Sequence, residues 1–221
     1  MTLVEGPELL ADVAASGARV VEVFSTYVPR GTPLPVATLP TLVDERALAR
    51  LAGTKSPRGP VAVVEIPEES LQAGRDLLVS VGVSDPGNLG ALVRTAASFG
   101  WGFAYTEGSA DPWAPKSIRA GAGGQFQTPV SRIHSLGELE GWVTVAGVVR
   151  DGVPPEEVKE RPVALLVGEE AHGLDERVAS SAAHRLTIPT RGDTESLNVA
   201  VAAGIAVYAL SKGAGGDRDG V

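Results

Sequence analysis

The 221-residue sequence contains no cysteine. Disulfides, thiolate zinc sites and cysteine nucleophiles are therefore excluded. Only three histidines occur, His134, His172 and His184. They lie far apart without metal-ligand spacing, so no metal is expected and none is assigned catalysis. A secretory leader is also missing from the start, where Glu5, Glu8 and Asp12 interrupt the apolar residues. The longest apolar run, near the C-terminus, is too short for a bilayer and contains Asn198. A soluble, cytoplasmic protein with no membrane partner is expected. Excess basic charge is absent too: the net charge is −8. That excludes coating nucleic acid through bulk electrostatics, though not a local basic patch.

What is present suffices for a substantial core, with 43% hydrophobic and 21% charged residues. The 27 glycines and 16 prolines fall between apolar runs and do not form low-complexity blocks. In residues 4–28, Leu9, Leu10, Val13 and Ala14 recur at helical spacing up to Gly17, and Val20 to Phe24 is β-rich. The proline-rich stretch that follows permits only a short edge strand near Val36–Leu39. VDERALARLAG reads as an amphipathic helix and VAVVEI as a strand, closing a small α/β unit near Pro67. Residues 67–75 read as a linker or short crossover helix.

Beyond it, apolar runs at 77–83, 143–152, 163–174 and 186–189 each lead into a polar or glycine-rich loop. Leu89, Leu92, Val93 and Ala96 form a helical stripe after the first, and PKSIRAGAGG is a short helix stopped by glycines. An α/β fold with a mostly parallel sheet is expected, its ligand crevice at the strands' carboxyl ends. The last unit, LTIPTRGDTESLNVAVAAGIAVYAL, joins an apolar run to a helix apolar nearly all round, as a buried helix would be. Asp193, Thr194 or Ser196 is expected to cap it. Known nucleotide signatures are missing: there is no GxxxxGK[ST], and GAGG at 121–124 follows a helix.

NLGALVRTAASFGW, LLVGEEAHGLDERV and the closing 25 residues, in that order, resemble the three motifs of the SpoU (TrmH-type) RNA 2′-O-ribose methyltransferases. That family is of the knotted SPOUT class. VEGPELLADVAASGARVVEVF and LAGTKSPRGPVAVVE more weakly resemble the L30e-like RNA-recognition domain. The resemblance implies an L30e-like domain at 1–67, a linker at 68–75, a SPOUT domain with a deep trefoil knot at 76–213 and a flexible tail at 214–221. It implies S-adenosylmethionine as cofactor, rRNA or tRNA as substrate, and a homodimer formed through the knotted domain. Gly168, Ile188 and Leu197, with Leu166 and Val167, would hold the cofactor. Arg94 would be catalytic, with Asn88, Glu170, Ser196 and Asn198 positioning around it. Two alternatives stay open for Arg94: accepting the 2′-hydroxyl proton, or orienting an RNA phosphate that assists.

Asn88 has a plain alternative as a helix cap, and Glu169 is expected to face solvent. Lys116 and Arg119, three apart, with Arg191, Lys55 and Arg58, would form a local phosphate track on an acidic protein. Trp101 and Trp113 are expected in the core or at an interface, with stacking on a flipped base as the other reading. A different functional class, an RNA-binding or ribosome-assembly protein of the same fold with little activity, is the alternative.

Overall fold

The computed structural model describes residues 1–28, 39–53, 56–57, 59–68, 70–169, 172–191 and 196–213. Its N-terminal part comprises β1 (Thr2–Glu5), α1 (Pro7–Ala15), β2 (Val20–Ser25), β3 (Thr41–Leu42), α2 (Glu45–Ala52) and β4 (Val61–Val64). These strands form a mixed sheet in the order β1-β4-β2-β3. The helix boundaries follow local chemistry. Pro7 occupies the first turn of α1, where no N–H is needed. Asp44 caps α2 by accepting the Ala47 N–H, and Gly53 ends it in the left-handed conformation. An edge strand, β3, lies at 41–42, beyond the segment where one was expected. Of the predicted Val36–Leu39 segment, 36–38 lie outside the described residues and Leu39 is not in a strand.

The larger part contains β5 (Leu77–Ser80), α3 (Pro86–Ser98), β6 (Gly102–Tyr105), α4 (Pro115–Ala120), β7 (Val130–Arg132), β8 (Val143–Gly147), β9 (Val163–Val167), α5 (Glu176–Ser181), β10 (His184–Leu186) and α6 (Val199–Gly213). Its six strands are all parallel, in the order β10-β8-β9-β5-β6-β7. Among the described residues of 67–75 there is no helix, so this stretch is an irregular connection.

Alternation along the strands divides the core. Leu78, Phe103, Val145, Leu165 and Val167 face α3 and α6, while Leu77, Val79, Ala104, Ala164 and Leu166 face a second cluster with Ile133 and Leu139. The predicted helical stripe Leu89, Leu92, Val93 and Ala96 is wholly buried. The first cluster continues into Val4, Leu10 and Val13, so the two sheets share one core. Thr2 Oγ1 donates to the Trp113 carbonyl across that junction at 2.6 Å. Trp113 packs edge-on against Phe126 with centroids 5.4 Å apart, and Trp101 donates its Nε1–H to Ser211 Oγ. Both tryptophans are core residues, not base-stacking platforms.

The α3–α4 contact depends on Gly90. A Cβ there would lie 2.4 Å from the Ser117 carbonyl oxygen and 2.9 Å from the Gly121 nitrogen. Alanine in a helix interior ordinarily stabilises by about 1 kcal/mol relative to glycine. Here the added methyl meets backbone, and overpacking of this kind costs about 1–3 kcal/mol. Gly90→Ala should therefore lower the urea-unfolding midpoint, against the helix propensity scale; a raised midpoint would show that the two helices separate freely.

Candidate functional site

The carboxyl ends of β8, β9 and β10 open onto a cavity of about 780 Å³. That size suits a drug-sized ligand or cofactor. Its described walls come from four places in the chain: 147–150; Leu165 and 167–169 with 172–173; 186–190; and 196–206, at and before the first half of α6. From β9, Leu165 and Val167 point inward. Gly168 then turns the chain so tightly that a Cβ on it would sit 2.2 Å from the Gly173 carbonyl oxygen. Only glycine permits this approach, because Gly173 is held close by, its N–H donating to Glu169 O at 2.7 Å. From α6, Ala202, Ala203 and Ala206 line the wall, and their short side chains leave the volume open.

The 148–153 loop and the segment after β10 interlock. Val148 N–H donates to Leu186 O, Val153 N–H to Arg185 O and Thr187 N–H to Val153 O. The Thr187 hydroxyl donates to Val148 O at 3.1 Å and accepts from Gly152 N–H at 3.0 Å. The contact is close enough that a Cβ on Gly152 would lie 2.7 Å from the Leu186 carbonyl carbon.

At the polar end, α3 and α6 begin side by side. Asp85 caps α3, its Oδ1 accepting the Asn88 N–H at 2.8 Å, with Pro86 in the first turn. Its other oxygen lies 3.5 Å from Lys116 Nζ. The Asn88 N–H and then the Lys116 charge hold this exposed carboxyl below its ordinary value, with burial opposing. The cap is thus fully present above the usual aspartate range and is lost only as pH falls through the lowered value. Asn88 is therefore not the cap. Its side-chain oxygen accepts from Asn198 Nδ2 at 3.1 Å. Asn198 Oδ1 in turn accepts from Ala200 N–H and Val201 N–H at 3.0 and 3.2 Å, capping α6. Asp193 and Thr194 lie outside the described residues, and the cap expected of one of them or of Ser196 belongs to Asn198.

Of the residues expected to hold a cofactor, Gly168, Val167, Ile188 and Leu197 line the cavity, as does Ser196. Leu166 does not. Strand alternation turns it to the opposite face of the sheet, where it packs with Leu77 and Val79. Leu165 takes its place, a substitution that a period-two reading of VALLVG would have found. Glu169 and His172 also line the cavity; the Glu169 side chain is 43% exposed and so borders both cavity and solvent. Arg150 was missed altogether; its loop carries no periodic signal.

Arg94 is exposed on α3, outside the cavity wall, and its guanidinium has no partner among the described residues. Arg119 pairs with Glu5 at 3.1 Å and Lys116 with Asp85, so neither is an isolated cation. Arg191 is exposed. Glu170, Lys55 and Arg58 lie outside the described residues. Among the described residues, no cluster of His, Asp or Glu has metal-binding geometry, and no helix is long and apolar enough to cross a membrane.

Replacing Asn198 with alanine removes both the α6 cap and the link to α3. A lost cap alone costs about 0.5–2 kcal/mol. Asn198→Ala should lower the unfolding free energy by about 1–2 kcal/mol in chemical denaturation; an unchanged value would mean that the start of α6 is fixed by other contacts.

Residues 76–208 match the SpoU rRNA Methylase family. The chain is 34% identical to the Bacillus subtilis (strain 168) 23S rRNA (guanosine(2553)-2′-O)-methyltransferase RlmP, over 94% of this chain and 87% of that protein. It is 31% identical to a Streptomyces viridochromogenes 23S rRNA (uridine(2479)-2′-O)-methyltransferase, over 70% of this chain and 60% of that one. The crystal structure of an AdoMet-bound rRNA methyltransferase from Sinorhizobium meliloti superposes with a TM-score of 0.80 at 26% identity, covering 96% of this chain and 87% of the other.

Proposed function

The chain belongs to the SpoU rRNA methylase family, and from that membership we propose that it transfers a methyl group from S-adenosylmethionine to a ribose 2′-hydroxyl of ribosomal RNA. The observation that carries this reading is the cavity itself. Motif-two and motif-three residues, Gly168, Ile188, Ser196 and Leu197, line it, and the Asn88–Asn198 pair lies at the start of the same helix, α6. Aliphatic walls beside main-chain N–H and C=O groups suit an adenine ring. The chain is a methyltransferase, and S-adenosylmethionine is its cofactor.

The reaction forms an O–C bond and breaks the S–C bond of the sulfonium. S-adenosylhomocysteine leaves, and the hydroxyl proton must go to an acceptor. An arginine is a poor one, since its pKa exceeds about 12. Arg94, charged and exposed on α3, is better suited to orienting a neighbouring RNA phosphate whose oxygen takes the proton. Asn88, Asn198, Ser196 and Glu170 would position the ribose and the methionine moiety. Lys116, Arg119 and Arg191, with Lys55 and Arg58 from the L30e-like domain at 1–67, would contact phosphates. Residues 68–75 would be the linker to a SPOUT domain at 76–213, with 214–221 a tail. Its C-terminal part would be knotted, a reading that the interlocked 148–153 and 185–187 segments support. Methyl-labelled S-adenosylmethionine and RNA from cells lacking the gene supply the test, with the modified ribose mapped. Arg94→Ala should lower the methylation rate about a hundred-fold with cofactor affinity within about twofold. Retained methylation would remove Arg94 from the chemistry, and RNA binding without any methylation would favour the assembly-protein alternative.

A homodimer completes the proposal. α6 is not buried all round: Val201, Ile205 and Tyr208 are 52%, 42% and 49% exposed on one face. Phe99, at the end of α3, extends this patch and meets Tyr208 edge-on, with centroids 6.2 Å apart. Such a contiguous apolar patch marks an interface. Wild-type protein should run in light scattering at twice the 22.7 kDa chain mass at micromolar concentration, and Ile205→Glu at once that mass. A monomeric wild type would refute the dimer.

A further inference from the structure

We propose that Glu169 receives the positively charged methionine end of S-adenosylmethionine. Glu169 follows Gly168 in the loop after β9 and lines the cavity. Ser84, in the loop after the neighbouring strand β5, donates its hydroxyl to Glu169 Oε1 at 2.6 Å. The pair spans the point where the strand order reverses: β5 leads on to β6 and β7, and the chain then returns to β8 and β9 on its other side. Ligands of open parallel sheets bind at such points. The bond holds one carboxylate oxygen and leaves the other available. Oε2 is 3.7 Å from His172 Nδ1, a side chain 86% exposed and therefore easily displaced.

The ligand's chemistry requires a negative group here. S-adenosylmethionine carries a sulfonium and an ammonium against a single carboxylate. Moving either cation from water into a partly closed cavity is costly without a counter-charge. The walls described above are mostly aliphatic. Glu169 is the one carboxylate among the described lining residues, and Arg150 and His172 are the other ionisable ones. A carboxylate whose geometry is already set by Ser84 loses little freedom on taking a cation, so its contribution to binding is large for a half-exposed group.

This assignment rests on the use of S-adenosylmethionine, and calorimetry with three ligands separates the two. S-adenosylmethionine carries both positive charges, S-adenosylhomocysteine only the ammonium, and 5′-methylthioadenosine neither. Glu169→Gln keeps the side-chain shape and removes the charge. It should weaken S-adenosylmethionine binding about tenfold, as expected for a lost charge-assisted hydrogen bond, and leave 5′-methylthioadenosine within about twofold. Equal weakening of S-adenosylhomocysteine identifies the ammonium as the partner, whereas its unchanged affinity identifies the sulfonium; both support the assignment. Weakening of all three ligands alike, with a lowered melting temperature, would assign Glu169 a purely structural role and overturn the proposal. So would unchanged binding of S-adenosylmethionine. Wild-type protein that binds none of the three would overturn the cofactor reading as well.

Discussion

The side chain of Asn198 holds together the two helices on which the site depends. Its oxygen takes two free N–H groups at the start of α6, and its amide nitrogen reaches the Asn88 side chain near the start of α3. A helix start has four unpaired N–H groups, so its position relative to a neighbour is poorly fixed unless a side chain satisfies some of them. One asparagine does this and ties the result to a second helix. Each bond is worth about 1 kcal/mol. What they determine is larger: the distance between the wall of the cavity and α3, the helix that carries the first motif. The opposite end of α6 is tied down differently, by Arg161, whose guanidinium donates to the Leu210 carbonyl and lies 3.6 Å from Asp76. With both ends held, Ala202, Ala203 and Ala206 can face open volume without the helix collapsing into it.

Where the signal in the sequence was periodic, it was sufficient. The α3 stripe, the buried runs of β5, β8 and β9, and the amphipathic α2 all rest on local alternation, and all are present. The parallel sheet followed from the repeated order of apolar run and polar loop. Two of the strands that escaped notice, β1 and β7, are four and three residues long. Their identity comes from partners: β1 is a strand because β4 pairs with it in antiparallel register from Thr2↔Val64 to Glu5↔Val61. No local pattern in TLVE encodes that.

At the site the motif resemblance named five of the cavity residues, Val167, Gly168, Ile188, Ser196 and Leu197, but not the orientation of β9. Leu166 and Leu165 are chemically the same, and only the parity of the strand decides which meets the ligand. Capping was misassigned for a related reason. Asp193, Thr194, Ser196 and Asn198 all carry a suitable oxygen, and the cap is Asn198, which directly precedes α6 and also meets Asn88, 110 residues away in sequence. Glu169 illustrates the converse case. Expected to face solvent, its half-exposed side chain is fixed by a hydroxyl 85 residues earlier.

The charge balance acquires meaning from the same long-range pairings. Lys116 and Arg119, proposed as phosphate contacts, are engaged by Asp85 and Glu5. RNA would therefore exchange one anion for another at these positions, and counterion release would contribute less than at bare cations. The exchange at Lys116 is nonetheless permitted by the geometry. Asp85 uses Oδ1 for the α3 cap and Oδ2 for the lysine, so a phosphate can draw Lys116 away while the helix stays capped and Asn88 stays in place. With those contacts made as proposed, an acidic protein built this way would recognise RNA less through net charge than through shape and a few exchangeable pairs.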